Sequence, residues 1–272
     1  MTIRVCVAGA TGWVGRSLVP AIVAAADLAL TGAVARRAQG TIGPGGVPIS
    51  GTLGDALRAG ADVLVDFTSP LVAKAHALTA IRAGVHVVIG TSGLTDRDLE
   101  EIDRAARERG VGAIAGANFA IAAVLLEHLA LIAARHMTSW EVLDYAQADK
   151  PDAPSGTARQ LAYRLAEVRQ PEVARPVDQT LGAPAARGLT LHGVQVHSIR
   201  LPGQVIGAEV VFGSMDERLS IRYDGGSSAA PYIAGCLAAI RHVADRVGLR
   251  RGLADILSVD TPAAPGPERH TR

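Results

Sequence analysis

Residues 3–26 narrow the choice of fold more than any other part of the chain. An apolar run, Ile3–Ala8, meets the glycine-spaced turn Gly9-Ala10-Thr11-Gly12-Trp13-Val14-Gly15, and a helical pattern runs from Gly12 to about Ala26. Strand, glycine turn and helix in direct succession start a βαβ unit. There the backbone can approach a pyrophosphate that rests on the helix amino end. The spacing is Gly-x-x-Gly-x-x-Gly, and its place between strand and helix gives it weight. Gly9, Thr11, Gly12, Trp13 and Val14 are therefore expected to bind a dinucleotide.

The rest of the first half keeps the same alternation. Strands are expected at 28–35, 61–67, 85–89 and 111–115, with helices at 70–83 and 96–109 between them. Continuous apolar strands alternating with helices predict a doubly wound, Rossmann-like parallel sheet with helices on both faces. Near Asn118 the pattern changes. A long apolar helix (121–135), a strand (140–146) and a second helix (157–168) are followed by a Pro-rich loop (170–187). Strand patterns at 189–201, 205–212 and 218–223 come next, and a last helix at 230–247. The short turns between these late strands suggest an open antiparallel or mixed sheet. The expected division is a dinucleotide-binding domain at 1–118, an α+β substrate and oligomerisation domain at 119–229, a helix at 230–260 returning to the first domain, and a disordered tail at 261–272.

Composition closes off several classes of function. The chain has 272 residues, 49% apolar and 3% aromatic, and a net charge of +1. Such a charge balance, with no basic run, gives no support to nucleic-acid binding. No stretch approaches the ~18 apolar residues of a membrane span. Cys6 and Cys236 lie far apart in apolar surroundings, so no metal site and no disulfide framework is expected, which fits a reducing cytosol. No secretory leader pattern precedes Ile3.

The end of the second predicted strand reads Val34-Ala35-Arg36-Arg37, without a carboxylate. An acidic residue there favours NAD; arginine accommodates the 2′-phosphate of NADP. Arg36 and Arg37 predict a preference for NADPH over NADH. Two further strand ends carry small polar residues, Asp66-Phe67-Thr68-Ser69-Pro70 and Gly90-Thr91-Ser92-Gly93. Ligands lie at such ends in open α/β sheets, so Phe67, Thr68, Gly90, Thr91 and Ser92, with Asn118 and Phe119 at the crossover, are expected to flank the nicotinamide. A final motif, Asp149-Lys150-Pro151-Asp152-Ala153-Pro154-Ser155-Gly156-Thr157, joins a cation to a Pro-bounded turn and a helix start. Unpaired helical N–H groups and a lysine together make a carboxylate clamp.

Taken in order and spacing, these five motifs resemble the dihydrodipicolinate reductase (4-hydroxy-tetrahydrodipicolinate reductase) family from Arg4 to about Val259. The resemblance implies reduction of a cyclic imine or enamine diacid by NAD(P)H in the cytoplasm, within lysine and diaminopimelate synthesis. It also implies a homotetramer. Lys150 would be the catalytic lysine, and Ser155, Gly156, Thr157, Ser92 and Gln147 would meet the substrate. One departure stands out. Where the family carries two adjacent histidines before the lysine, this chain has Ala146 and Gln147, and a later histidine element reads Ala208-Glu209-Val210. The proton donor is thus open among Lys150, Tyr145, Asp149, Glu209 and water. The lysine-pathway substrate and a different imine both remain open, as does a non-catalytic NADP-binding sensor. His192 and His197, in the 189–201 pattern, differ by an odd number, so at most one would face the cleft.

Overall fold

The computed structural model describes residues 2–203, 206–254 and 256. Two sheets organise them. The first holds β1 (Ile3–Ala8), β2 (Leu28–Val34), β3 (Ile49–Ser50), β4 (Val63–Asp66), β5 (His86–Ile89), β6 (Gly112–Ala115) and β12 (Gly248–Arg251). All pairs are parallel, in the order β12-β6-β5-β4-β1-β2-β3. The order reverses between β1 and β4, which is where an open α/β sheet has its ligand crevice.

Side-chain alternation along these strands feeds two cores, one on each face. Val5, Val7, Val65, Val88 and Ile114 pack against α1 (Gly15–Ala24) and α7 (Ala230–His242). Cys6, Ala8, Leu64, Val87 and Ile89 pack against α2 (Leu53–Leu57), α3 (Pro70–Arg82) and α4 (Asp96–Arg109). α4 is fixed by local chemistry at both ends. Thr95 and Asp98 form a reciprocal capping box, and Gly110 closes the helix in the left-handed conformation.

The second sheet runs β11-β10-β7-β9-β8, from β7 (Ser139–Ala146), β8 (Leu189–Leu191), β9 (Val194–Arg200), β10 (Ile206–Ser214) and β11 (Glu217–Gly225). One face is covered by α5 (Ile121–Ala133) and α6 (Gly156–Val168), which bury Trp140, Val142, Val196, Val210 and Phe212. Among the described residues no helix crosses the opposite face. There Tyr145 donates to Glu209 (2.9 Å), His197 pairs with Glu141 (2.7 Å), and Arg222 stacks over the Tyr145 ring at 4.5 Å.

Several expectations require correction. The pattern at 189–201 is not one strand. It breaks at His192-Gly193, where His192 takes a φ of +50°, and forms a hairpin. His192 is therefore a turn residue and the strand-parity argument does not apply to it. The sheet is mixed, one of the two arrangements expected, because β7 and β9 run parallel while β10 and β11 pair antiparallel. The helix at 230–247 ends at His242, and its last residues lead into β12, which the sequence pattern did not mark. Gln204 and Val205, in the turn and strand expected there, and the tail expected at 261–272 lie outside the described residues.

Gly235 of α7 passes so close to the crossover that a Cβ there would lie 2.1 Å from the Phe119 carbonyl oxygen. Gly235→Ala should lower stability by about 1–3 kcal/mol through overpacking, read as a lower urea midpoint with an unchanged m-value.

Candidate active site

The glycine turn sits at the reversal point of the first sheet. Gly9 has a φ of +84°, and a Cβ on it would lie 2.3 Å from the Phe67 carbonyl oxygen, so the turn after β1 is pressed against the end of β4. Only glycine meets both demands. Thr11 and Gly12 are partly exposed at the turn, and Arg16 donates to the Thr11 carbonyl (2.9 Å). Val14 points into the core, whereas Trp13 is half exposed and packs edge-on to Tyr232 at 5.4 Å. Arg36 and Arg37 follow β2 as exposed residues, and neither enters an ion pair among the described residues.

The ends of β4 and β5 are held by one buried carboxylate. Asp66 accepts from the Thr68 amide (3.0 Å), the Thr68 hydroxyl (2.6 Å) and the Thr91 hydroxyl (2.8 Å), and pairs with His76 Nδ1 (2.7 Å). Burial alone would raise its pKa; the bonds from His76, Thr68 and Thr91 outweigh burial and hold it below the ordinary carboxylate range. The Phe67 ring lies over Gly90 and meets Phe119 edge-on at 5.5 Å. Phe119 is itself buried, and its carbonyl is packed against Gly235 of α7.

The second sheet brings the clamp to this edge. Ser155 caps α6 by accepting from the Ala158 amide (3.3 Å), and its own amide donates to Asp144 (2.8 Å). Asp144 has no exposed surface and also accepts from the Ser198 hydroxyl (3.1 Å) and Arg200 Nη2 (2.8 Å). Arg200 donates in addition to the Asp152 carbonyl (2.8 Å), so one guanidinium ties the loop to the strand from which it departs. Across the gap, a Cβ on Gly156 would lie 3.3 Å from Ser92 Cβ and 3.5 Å from Ala117 Cβ. The Gln160 side-chain oxygen accepts from the Ala117 backbone amide (3.1 Å), and the Asn118 side-chain amide donates to the Thr157 hydroxyl (3.4 Å). A cleft of about 620 Å³ opens beside this contact, walled by Thr91, Ser92, Gly156, Arg159, Tyr163 and Arg251.

Ser92, Asn118, Gly156 and Thr157, far apart in sequence, are thus neighbours. Lys150 stands apart from them in an ion pair with Asp152, Gln147 is exposed past the end of β7, and Ala146 is fully buried. Tyr145 and Glu209 engage each other on the face away from the helices. Arg16, His76 and Arg200 were not picked out from the sequence. Arg16 directly follows the turn, and Arg200 shares strand parity with Ser198; nothing in the sequence marks His76.

Comparison with known proteins fits this geometry. The family model for the dihydrodipicolinate reductase N-terminus matches residues 3–119, and that for the C-terminus matches residues 122–257. The chain belongs to the dihydrodipicolinate reductase family. It is 38% identical over 265 residues to the 4-hydroxy-tetrahydrodipicolinate reductase of Moorella thermoacetica, covering 94% of this chain and 98% of that one. With the Mycolicibacterium vanbaalenii enzyme of the same name, identity is 37% over 257 residues, with 94% and 99% covered. Among solved structures, the dipicolinate-bound dihydrodipicolinate reductase of Paenisporosarcina sp. TG-14 superposes with a TM-score of 0.78 at 29% identity, covering 94% of this chain and all of that one. GenD2 from gentamicin A biosynthesis, in complex with NAD, shares the fold at a TM-score of 0.61 and 17% identity, with 90% and 87% covered. Membership makes the chain an NAD(P)H-dependent reductase.

A group whose pKa is depressed by folding stabilises the protein above its unfolded pKa and loses that contribution as pH falls through the folded value. Asp66 is such a group. Urea midpoints taken across acid pH should therefore fall more steeply for the wild type than for Asp66→Asn, in the window below the ordinary carboxylate range.

Proposed function

We propose that the chain uses NADPH to reduce the C=N bond of a small carboxylated substrate, as its relatives' names imply for the lysine-pathway intermediate. The observation that carries this reading is the meeting of Gly156 and Thr157, at the amino end of α6, with Ser92 and Asn118 at the ends of the first sheet. The dinucleotide turn and the clamp then belong to one crevice. Gly9, Thr11, Gly12 and Trp13 would hold the pyrophosphate on the amino end of α1, with Val14 supplying backbone only. Phe67, Thr68, Gly90, Thr91, Asn118 and Phe119 would border the nicotinamide, which supplies the hydride when bound. Ser155, Gly156 and Thr157 would offer backbone N–H groups to a substrate carboxylate, with Ser92 opposite. Lys150 would exchange the Asp152 carboxylate for that of the substrate, with Gln147 at the rim.

Arg36 and Arg37 support the NADPH preference, since two free guanidiniums match a 2′-phosphate by charge-assisted hydrogen bonds. The helix-free face of the second sheet supports a homotetramer in which copies of the chain cover one another. The absence of a membrane-crossing helix among the described residues accords with a cytoplasmic reductase. A second reading, an imine other than the lysine-pathway intermediate, is favoured by the buried methyl of Ala146 and the uncharged, exposed Gln147.

Purified protein supplied with 4-hydroxy-tetrahydrodipicolinate should oxidise NADPH faster than NADH; no oxidation above background excludes the lysine-pathway substrate. Arg36→Ala with Arg37→Ala should raise the NADPH KM by about 10–100-fold, the worth of one charged hydrogen bond, and leave the NADH KM nearly unchanged. Lys150→Met should raise the substrate KM on a similar scale of about 10–100-fold, without changing cofactor binding measured by fluorescence titration.

A further inference from the structure

Three arginines line the cleft beside the clamp, and one of them has no carboxylate partner. Arg251 pairs with Asp96 (2.7 Å) and stacks on the Tyr163 ring at 5.3 Å. Arg164 pairs with Glu167 (3.1 Å) and lies 3.6 Å from Glu127. Arg159 enters no ion pair among the described residues. Its guanidinium makes one hydrogen bond there, from Nη1 to the Pro154 carbonyl (2.6 Å). Arg159 is half-buried and shares the cleft wall with Ser92 and Gly156, so its remaining N–H groups lie beside a space open to a ligand.

Helix geometry decides where this charge is carried. Arg159 follows Gly156 by three residues and Ser155 by four, so it shares their face of α6. Helical side chains lean toward the amino end. The bond to Pro154, which precedes the cap Ser155, means that Arg159 reaches back past the helix start. There Gly156 meets Ser92. The same charge reaches the lysine of the clamp. Burial would raise the Asp152 pKa; the bond and the charge of Lys150 outweigh burial, the Arg159 charge adds to them, and the carboxyl is held below its ordinary range. Two cations thus act on one short turn.

A diacid calls for two grips. In the reading above, Lys150 and the amino end of α6 serve one carboxylate. Gln147, where a second histidine would stand in the family, is an exposed neutral amide and brings no charge to the other. A second carboxylate taken into the cleft without a partner would be an uncompensated charge, which is costly. A guanidinium offers a planar fork of donors that matches a carboxylate.

We propose that Arg159 grips the second carboxylate of a diacid substrate and so sets the preference of this reductase for dicarboxylates over monocarboxylates. The assignment rests on the reductive reading above and narrows its substrate class. The Pro154 carbonyl holds Nη1, and Nη2 and Nε, which make no bond among the described residues, face the ligand. The contact is a charge-assisted hydrogen bond, and no covalent bond changes.

Calorimetry on the full chain with NADP⁺ bound tests this with two probes, pyridine-2,6-dicarboxylate and pyridine-2-carboxylate. The wild type should bind the dicarboxylate about 10–100-fold more tightly, the worth of one charged hydrogen-bonded contact. Arg159→Gln, whose amide can still donate to the Pro154 carbonyl, should lose about 10–100-fold in affinity for the dicarboxylate and stay within about threefold for the monocarboxylate. Arg159→Lys should recover part of the difference, because it keeps the charge without the fork. Unchanged NADP⁺ affinity in both variants reports an intact fold. A wild type that binds neither probe or both equally overturns the assignment. So does an Arg159→Gln protein that keeps the full preference, or one that loses both probes in equal measure, which is the mark of a residue that only supports the turn. A protein that shows the expected difference yet oxidises NADPH with no carboxylated imine overturns the reductive reading instead and leaves the diacid grip standing.

Discussion

One fully buried carboxylate governs where the amino end of α6 points. Asp144 receives the Ser155 amide, the Ser198 hydroxyl and the Arg200 guanidinium, and Arg200 in turn holds the Asp152 carbonyl. Removing one partner of such a pair strands a charge in a low-dielectric setting, a cost of several kcal/mol, so the arrangement is held as a unit. Because Ser155 is both the partner of Asp144 and the cap of α6, the helix inherits its direction from the sheet. Gly156 and Thr157 then fall against Ser92 and Asn118. The clamp is a property of the strand ladder, transmitted through a single side chain.

A parallel device acts on the first sheet. Asp66 binds Thr68 and Thr91 at neighbouring strand ends, with His76 behind it. The two carboxylates play the same part in different folds: each gathers loop donors into a fixed spacing and leaves other backbone groups facing the crevice. The ends of β4 and β5 and the start of α6 are thereby held by internal hydrogen bonds.

Much of this was legible in the sequence where local chemistry decides structure. α4 was read to the residue because Thr95 and Gly110 bracket it. The glycine turn was legible because Gly9 and its neighbours answer to backbone sterics alone. The misreadings fell where distant partners decide. Leu189–Arg200 is apolar enough for one strand, yet His192-Gly193 folds it back, and β9 then joins β7 in parallel. β12, with two arginines in four residues, has no strand signature; it pairs because the edge of β6 is available. Of the motif residues, Ser92, Asn118, Gly156 and Thr157 come together in the structure, while the buried partners Arg200 and His76 carried no sequence signal, since their contacts lie on elements distant in the chain.

The late arrival of β12 has a bearing on assembly. β6 finds its outer neighbour only after the whole second sheet has been traversed. Until those final residues are synthesised, β6 presents an open row of N–H and C=O groups, the kind of surface that recruits strands from other molecules. Once docked, β12 becomes the rim, where Arg251 pairs with Asp96 and Arg250 donates to the His242 carbonyl. The residues that cover the β6 edge thus come from the far end of the chain, so the nucleotide-binding sheet is complete only when the carboxyl-terminal part has folded back onto it.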